Sequence, residues 1–417
     1  MSLVIEKRTL YHYLLIYCLI ISQGSVLYNR YEDYFILLIV GASGLFIINR
    51  RFQMIYSKDI GFIILLAVAL GITVVASSGG LSVFSVGNFL SRFLLVFTVF
   101  YFDKDKFVQR YVNSVLVLAC ISLVVFTIQC IDFNLVTKIL PAYRTESTTY
   151  YGGVFASVVE WHTTRNIGLA TEPGRHQVYL ISALYFLLFK NNYISYTPKM
   201  NMAARIILII TIITAQSTTG YLALIILLAG YLLAKSSDDN VTGERKLRNK
   251  TKVCILLLVF IAGVYTIYGG SDTFIYKFFI NKLFNSSGQI DLTVSSGSSR
   301  VVSILPDLSI AIKHPFGMGY VPYQQIWLAN KVGFTPDTSS CVGLTSSCAA
   351  LGFHVVFLVL YFYLSKAWKN STGIIEFLVL VLIFVNTSLA QPNLCFPPMM
   401  IMFFVQPRRE EGAIWGN

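Results

Sequence analysis

Apolar runs of about twenty residues recur along the whole chain, and they leave few folds open. Within a bilayer no water satisfies a backbone N–H or C=O, so a helix that closes its own hydrogen bonds is the default. The runs cover 10–28, 34–49, 60–76, 86–102, 111–131, 173–189, 204–216, 218–234, 253–268, 341–365, 374–390 and 393–405. They predict an all-α, polytopic membrane protein of about twelve helices. Charge is scarce to match. Only 12% of residues are charged and mean hydropathy is +0.67, whereas a soluble domain carries about 25% charged residues. Residues 1–417 therefore read as a single transmembrane domain. The first run has no small-residue cleavage site after it, so it reads as a retained span and not a signal peptide.

A net charge of +12 raises the question of nucleic acid. The cations instead cluster at the ends of the apolar runs, as membrane insertion requires. With the N-terminus inside, roughly two thirds of the Lys and Arg fall on the inner side, as the positive-inside rule demands. Both termini are then cytoplasmic and both long polar segments, 132–172 and 269–340, lie outside. The seven cysteines sit in or beside apolar runs, without the spacing of a disulfide framework or a thiolate metal site. No HExxH, Walker A or GxGxxG pattern occurs, so neither a metal nor a nucleotide cofactor is expected. Asp103-Lys104-Asp105 matches a DxD triplet, but it reads as a solvated turn.

The outer segments hold the chemistry. The first ends in RNIGLATEPGRHQ. Pro173 suits a first helical position with Glu172 near the cap. Arg175 and His176 then fall in the first turn, where free N–H groups favour an anion. The second begins with DTFIYKFFINKLF, which reads as an interfacial helix. A Ser/Gly-rich stretch follows. Val301, Ile304, Leu305, Leu308 and Ile312 then share one helical face, interrupted by Pro306. Beyond it come His314 and a Pro-Phe-Gly-Met-Gly turn, and 320–337 carries few helix signals.

Guanidinium groups stay charged and grip phosphate oxygens in pairs. Arg144, Arg165, Arg175 and Arg300 thus suit a lipid-linked pyrophosphate at the bilayer edge, or ordinary headgroups. Arg92 lies inside an apolar run, where an Arg costs about 2.5–3.5 kcal/mol on insertion scales. Such residues usually face the bundle interior and have a partner. Histidine, or a carboxylate raised by burial, can take a proton near neutral pH. Gly317 and Gly319 would let backbone approach a substrate closely. Tyr150, Tyr151, Trp161, Tyr320, Tyr323 and Trp327 are available to stack on sugars or to anchor at the interface.

On these residues the chain resembles the O-antigen polymerase and ligase superfamily of bacterial surface-polysaccharide enzymes. Arg165-x-x-Gly168 followed by Glu172-Pro173-Gly174 is similar to one family pattern. Arg300 with His314-Pro315-Phe316-Gly317-Met318-Gly319-Tyr320 is similar to another, the Pro-x-Gly-x-Gly segment. The turn Gln216-Ser217-Thr218-Thr219-Gly220 looks like the family's Ser-rich turn. Where ligases have a His-Asn pair, this chain has Asp337, which favours the polymerase (Wzy-type) over the ligase. The resemblance implies a GT-C-like glycosyltransferase with two periplasmic loops in the inner membrane. It implies metal-independent inverting transfer of a chain carried on undecaprenyl pyrophosphate to a new lipid-linked repeat. It also implies membrane lipids and a chain-length regulator as partners. Under it, Arg92, Arg165, Arg175, His176, Arg300, Gly317, Gly319 and Tyr320 would bind substrate. Glu172 or His314 would be the base, with Asp337 a third candidate. The rival readings are a ligase acting on lipid A–core and a non-enzymatic flippase for lipid-linked sugars.

Overall fold

The structure is a computed structural model and describes residues 7–22, 24–49, 57–145, 148–238, 296–330 and 340–406. Its helices are α1 (Lys7–Ile21), α2 (Val26–Arg30), α3 (Glu32–Asn49), α4 (Ser57–Ala76), α5 (Val83–Phe102) and α6 (Lys104–Ile131). A short α7 (Phe133–Ile139) precedes α8 (Pro173–Phe189), α9 (Pro198–Thr214) and α10 (Thr218–Asp238). Then come α11 (Ser296–Lys313), α12 (Tyr320–Asn330), α13 (Gly343–Leu351), α14 (Phe353–Asn370), α15 (Ile374–Ala390) and α16 (Pro397–Met400). Among the described residues, four segments are long and apolar enough to cross a membrane: Lys58–Ala76, Val83–Phe102, Lys104–Ile131 and Thr218–Lys235. Large apolar side chains such as Leu37, Val75, Val117 and Val124 face outward. That is how a helix bundle surrounded by lipid presents itself.

Helix α8 is the axis of the bundle. Every residue from His176 to Leu188 is buried, and a helix that is apolar all round belongs in an interior. It packs on α6, α9, α10, α15 and α16. A cation stands at each end: Arg175 in its first turn, and Lys190 just past its last. Lys190 Nζ lies 2.8 Å from Glu376 Oε1, both fully enclosed. Glu376 also accepts from the Tyr185 hydroxyl at 2.5 Å and from Thr372 N and Oγ1 at 2.7 Å each. Burying this pair is tolerable because its remaining valences are filled.

Three expected spans take other forms. The run 10–28 is not one helix: α1 ends at Ile21, α2 starts at Val26, and Ala170 forms a bridge with Ser25. The run 341–365 divides at Gly352, whose φ of +93° an L side chain rarely adopts. The run 393–405 is no span helix but α16 followed by one 3-10 turn, Ile401–Phe403, all buried. Irregular backbone at membrane depth survives only where protein satisfies it. Here Arg92 Nη1 donates to the Cys395 carbonyl at 3.2 Å, Asn370 Nδ2 to Phe403 at 2.6 Å, and the Tyr193 hydroxyl to Gln406 at 2.9 Å. The run 253–268, the interfacial helix of the second outer segment and most of its Ser/Gly-rich stretch lie outside the described residues.

The first long polar segment, 132–172, is not all-α. It holds a three-stranded antiparallel sheet: β1 (Ala142–Arg144), β2 (Thr149–Gly152) and β3 (Ser157–Val159). Tyr150 pairs with both Tyr143 and Val159. Tyrosine in β1 and β2 and valine in β3 suit a pleated surface, a signal too short to detect among turn residues.

Candidate functional site

The site is assembled where the first long polar segment, 132–172, returns to the bundle. Gln129, near the end of α6, donates to the carbonyls of His162 at 2.9 Å and Thr163 at 2.7 Å. Asn166 donates to Ser122 and Thr214 and accepts from Gly168 N at 3.0 Å. Two buried amides thus hold residues 162–168 against α6 and α9. Thr171 then bonds the Gly24 carbonyl through both its N and its Oγ1, at 3.1 Å each. This places the start of α8 beside the break between α1 and α2.

Pro173 occupies the first helical position and Glu172 is the N-cap residue, as the sequence predicts. Glu172 makes no side-chain capping bond. Its carboxylate lies within electrostatic reach of Arg300 and of Tyr150. Burial pulls the Arg300 guanidinium below its ordinary value, and Cys341 and Glu172 hold it up. Burial likewise raises the Tyr150 phenol, and Glu172 adds to that shift.

Next to this group is a cavity of ≈ 410 Å³. Glu32, Arg92 and Arg175 line it, with Tyr28, Asn29 and Asn393. Arg175 lies over Gly24, whose φ is +95°, in the space a side chain would fill. Its Nη1 donates to Thr171 at 3.3 Å. Glu32 Oε1 accepts from Asn88 Nδ2 at 2.6 Å. Arg92 has the interior partner expected of an intramembrane arginine, the Cys395 carbonyl, and its Nε is buried without a protein acceptor among the described residues. Tyr320 is within electrostatic reach of Arg92. Two guanidiniums and a carboxylate around one polar cavity can hold a diphosphate and accept a proton.

The other expected residues have different surroundings. Arg165 is half-buried against Tyr221, and burial lowers its guanidinium. Arg300 keeps company instead with Glu172 and Cys341. His176 is fully buried, with Nδ1 2.5 Å from the Tyr179 hydroxyl and its ring against Gly168. That is the setting of a core residue. His314 is exposed at the end of α11. Arg144 is exposed on β1, and Asp337 lies outside the described residues.

Gly317 and Gly319 are packed against backbone of the chain itself. A Cβ on Gly317 would strike the backbone at Leu351, and one on Gly319 the backbone of Gly80. Met318 N and Gly319 N donate to the Ala349 and Ala350 carbonyls at 3.2 and 2.9 Å. These glycines let three stretches of backbone cross at close range. Tyr323 and Trp327 are buried as well, so neither presents a face to a sugar. Trp161 is exposed and stacked on His162.

Two features escaped sequence reasoning. Glu32 opens α3, where an acid is ordinary helix-start chemistry, so nothing in the sequence marks it as lining a cavity. Asp307 is fully buried in α11 and accepts from Tyr323 at 2.6 Å, Ser340 at 2.7 Å and Thr345 at 2.6 Å. It fastens α11 to α12 and α13, and so sets where Arg300 stands. No protein-family model matches this chain, and no curated protein matches it.

Proposed function

We propose that the chain is a membrane glycosyltransferase that joins oligosaccharide repeats carried on a lipid pyrophosphate, as an O-antigen polymerase does. The observation that carries this reading is the cavity where Arg92 and Arg175 meet Glu32. Arg92 and Arg175 take the donor's diphosphate, and Arg300 adds positive charge from the side of Glu172. A lipid pyrophosphate is already a good leaving group. The protein's tasks are therefore to align the two substrates, a contribution worth roughly 7–11 kcal/mol, and to stabilise the departing charge. The attacking sugar hydroxyl bonds to the anomeric carbon while the bond to the diphosphate breaks. Its proton passes to a carboxylate, Glu32 or Glu172. Glu172 beside Arg300 also orients that guanidinium, which eases the repulsion a lone carboxylate would exert on the diphosphate. The site would lie on the outer face of a bacterial inner membrane.

Purified protein given a lipid-pyrophosphate repeat, and nothing else, is expected to lengthen it. Arg175→Ala and Arg92→Ala should each lower the rate at least a hundredfold, and Arg175→Lys should rescue poorly because paired phosphate contacts are lost. A wild-type rate retained in Arg175→Ala would remove the diphosphate from this cavity. Transfer to lipid A–core in place of another repeat would assign the ligase activity. Movement of lipid-linked repeats across vesicles without chain growth would assign the flippase.

A further inference from the structure

The arginine-lined cavity has one more cation beside it. Helix α2 supplies Tyr28 and Asn29 to the wall, and Glu32 follows at the start of α3. Arg30 lies between them in sequence, at the end of α2. It is exposed, yet held in place: its Cζ lies 5.3 Å from the centroid of the Tyr31 ring and 5.7 Å from that of Tyr143. A ring face attracts the charge without consuming an N–H donor. Among the described residues, Asp33 included, none forms an ion pair or a hydrogen bond with the Arg30 side chain. Tyr143 ties Arg30 to the site from a second direction. It pairs with Tyr150 across β1 and β2, and Tyr150 lies within electrostatic reach of Glu172 and Arg175.

A diphosphate held by Arg92 and Arg175 would decide what reaches this rim. The first sugar of a lipid-linked repeat is bonded directly to the diphosphate, and the prenyl chain leaves from the other end. Asn29 and Arg30 make the α2 side of the rim polar and exposed, which suits the sugar and not the chain. The Asn29 amide can serve sugar hydroxyls. Arg30 asks for more. Its fork of N–H donors matches a carboxylate in pairs, and a neutral sugar leaves that charge unanswered. A phospholipid headgroup is the competing anion. The sugar has the advantage of its tether, since a covalent link to the bound diphosphate gives it a high effective concentration at the rim.

We propose that Arg30 is a specificity residue that binds a carboxylate on the first sugar of the lipid-linked repeat, so that the substrate is an acidic, uronic-type saccharide. This inference rests on the reading of the cavity as the diphosphate site. Tyr31 and Tyr143 hold the guanidinium ready, and Asn29 takes a hydroxyl of the same ring.

The test uses full-length protein in neutral detergent and measures binding of three probes by native mass spectrometry and thermal shift. The probes are undecaprenyl pyrophosphate alone, the same lipid carrying galacturonic acid, and the same lipid carrying galactose. The galacturonic acid form is expected to bind about tenfold more tightly than the galactose form, as a charge-assisted pair of hydrogen bonds would give. Arg30→Gln should abolish that preference and leave the affinity for undecaprenyl pyrophosphate unchanged, which also shows that the variant is folded. Arg30→Lys keeps the charge without the paired contact and should retain only part of the preference. Lys138→Gln, at an exposed lysine on α7, controls for net charge and should retain all of it. Equal affinity for the two sugar forms, or a preference that survives Arg30→Gln, overturns this inference and leaves the diphosphate site standing. Loss of phosphatidylglycerol retention in Arg30→Gln, with sugar preference unchanged, reassigns Arg30 to a headgroup and overturns it too. Failure of undecaprenyl pyrophosphate to bind, or binding indifferent to Arg92→Ala and Arg175→Ala, overturns the diphosphate site and this inference with it.

Discussion

Arg175 occupies the volume that a side chain at position 24 would need. Gly24→Ala is therefore expected to turn the guanidinium out of the cavity and to impose a φ near +95° on an L residue. Activity in the lipid-repeat assay should fall at least tenfold. Gly87→Ala, which meets nothing within 4 Å, should leave it unchanged. Asp307 yields a pH prediction. Burial raises its carboxyl above the ordinary 3.8, so the folded state holds its proton to higher pH than the unfolded chain does. Its contribution to stability is thus fully present below that ordinary value and is lost as pH rises through the folded pKa. Asp307→Asn should flatten that part of the Tm-versus-pH curve. Asp307→Ala, which strands three donors, should cost on the order of 3 kcal/mol. How far single residues were legible depended on their surroundings in sequence. Arg92 announced itself because an arginine in an apolar run must find a partner. Glu32 did not, because an acid at a helix start has a routine explanation. Gly317 and Gly319 were visible as unusual, but sequence alone does not say whether substrate or protein comes close to them.

At the scale of elements, the enclosed Lys190–Glu376 pair ties the end of α8 to the start of α15. Removing one partner strands a buried charge. Lys190→Met or Glu376→Leu should each cost about 3–5 kcal/mol, while the double variant recovers most of that loss. Unfolding of the three variants in detergent measures the cycle. Most helices were readable because membrane-length apolar runs admit little else. The exceptions share one cause. Glycines at positive φ, Gly24 and Gly352, or the adjacent prolines Pro397 and Pro398 break a run without altering its hydropathy. The sequence marks an apolar face on α11 without saying what it meets. Leu305 and Ile312 are 69% and 71% exposed while Asp307 on the opposite side is buried. In a bilayer the apolar stripe of a peripheral helix turns toward lipid and its polar stripe toward protein.

For the whole molecule, orientation is testable without any assay of activity. The charge bias at the ends of the runs predicts that the small sheet and the arginine-lined cavity lie outside, with Lys199 inside. In a cysteine-free background, Trp161→Cys should react with a membrane-impermeant maleimide on intact spheroplasts. Lys199→Cys should react only after permeabilisation. The opposite pattern would place the cavity on the side where nucleotide-linked sugars, not flipped lipid carriers, are available. The crossing at Gly317 and Gly319 bears on motion. Backbone packed directly on backbone leaves no side chain there to repack, so any tilt of α11 would pivot at that joint, against the bonds that Asp307 makes to Tyr323, Ser340 and Thr345. Arg300 sits about 20 Å up α11 from Lys313, and a tilt of roughly 6° about that joint would swing its guanidinium by about 2 Å. A lever of that length turns a very small rocking at its base into a shift large enough to make or break a hydrogen bond at Arg300.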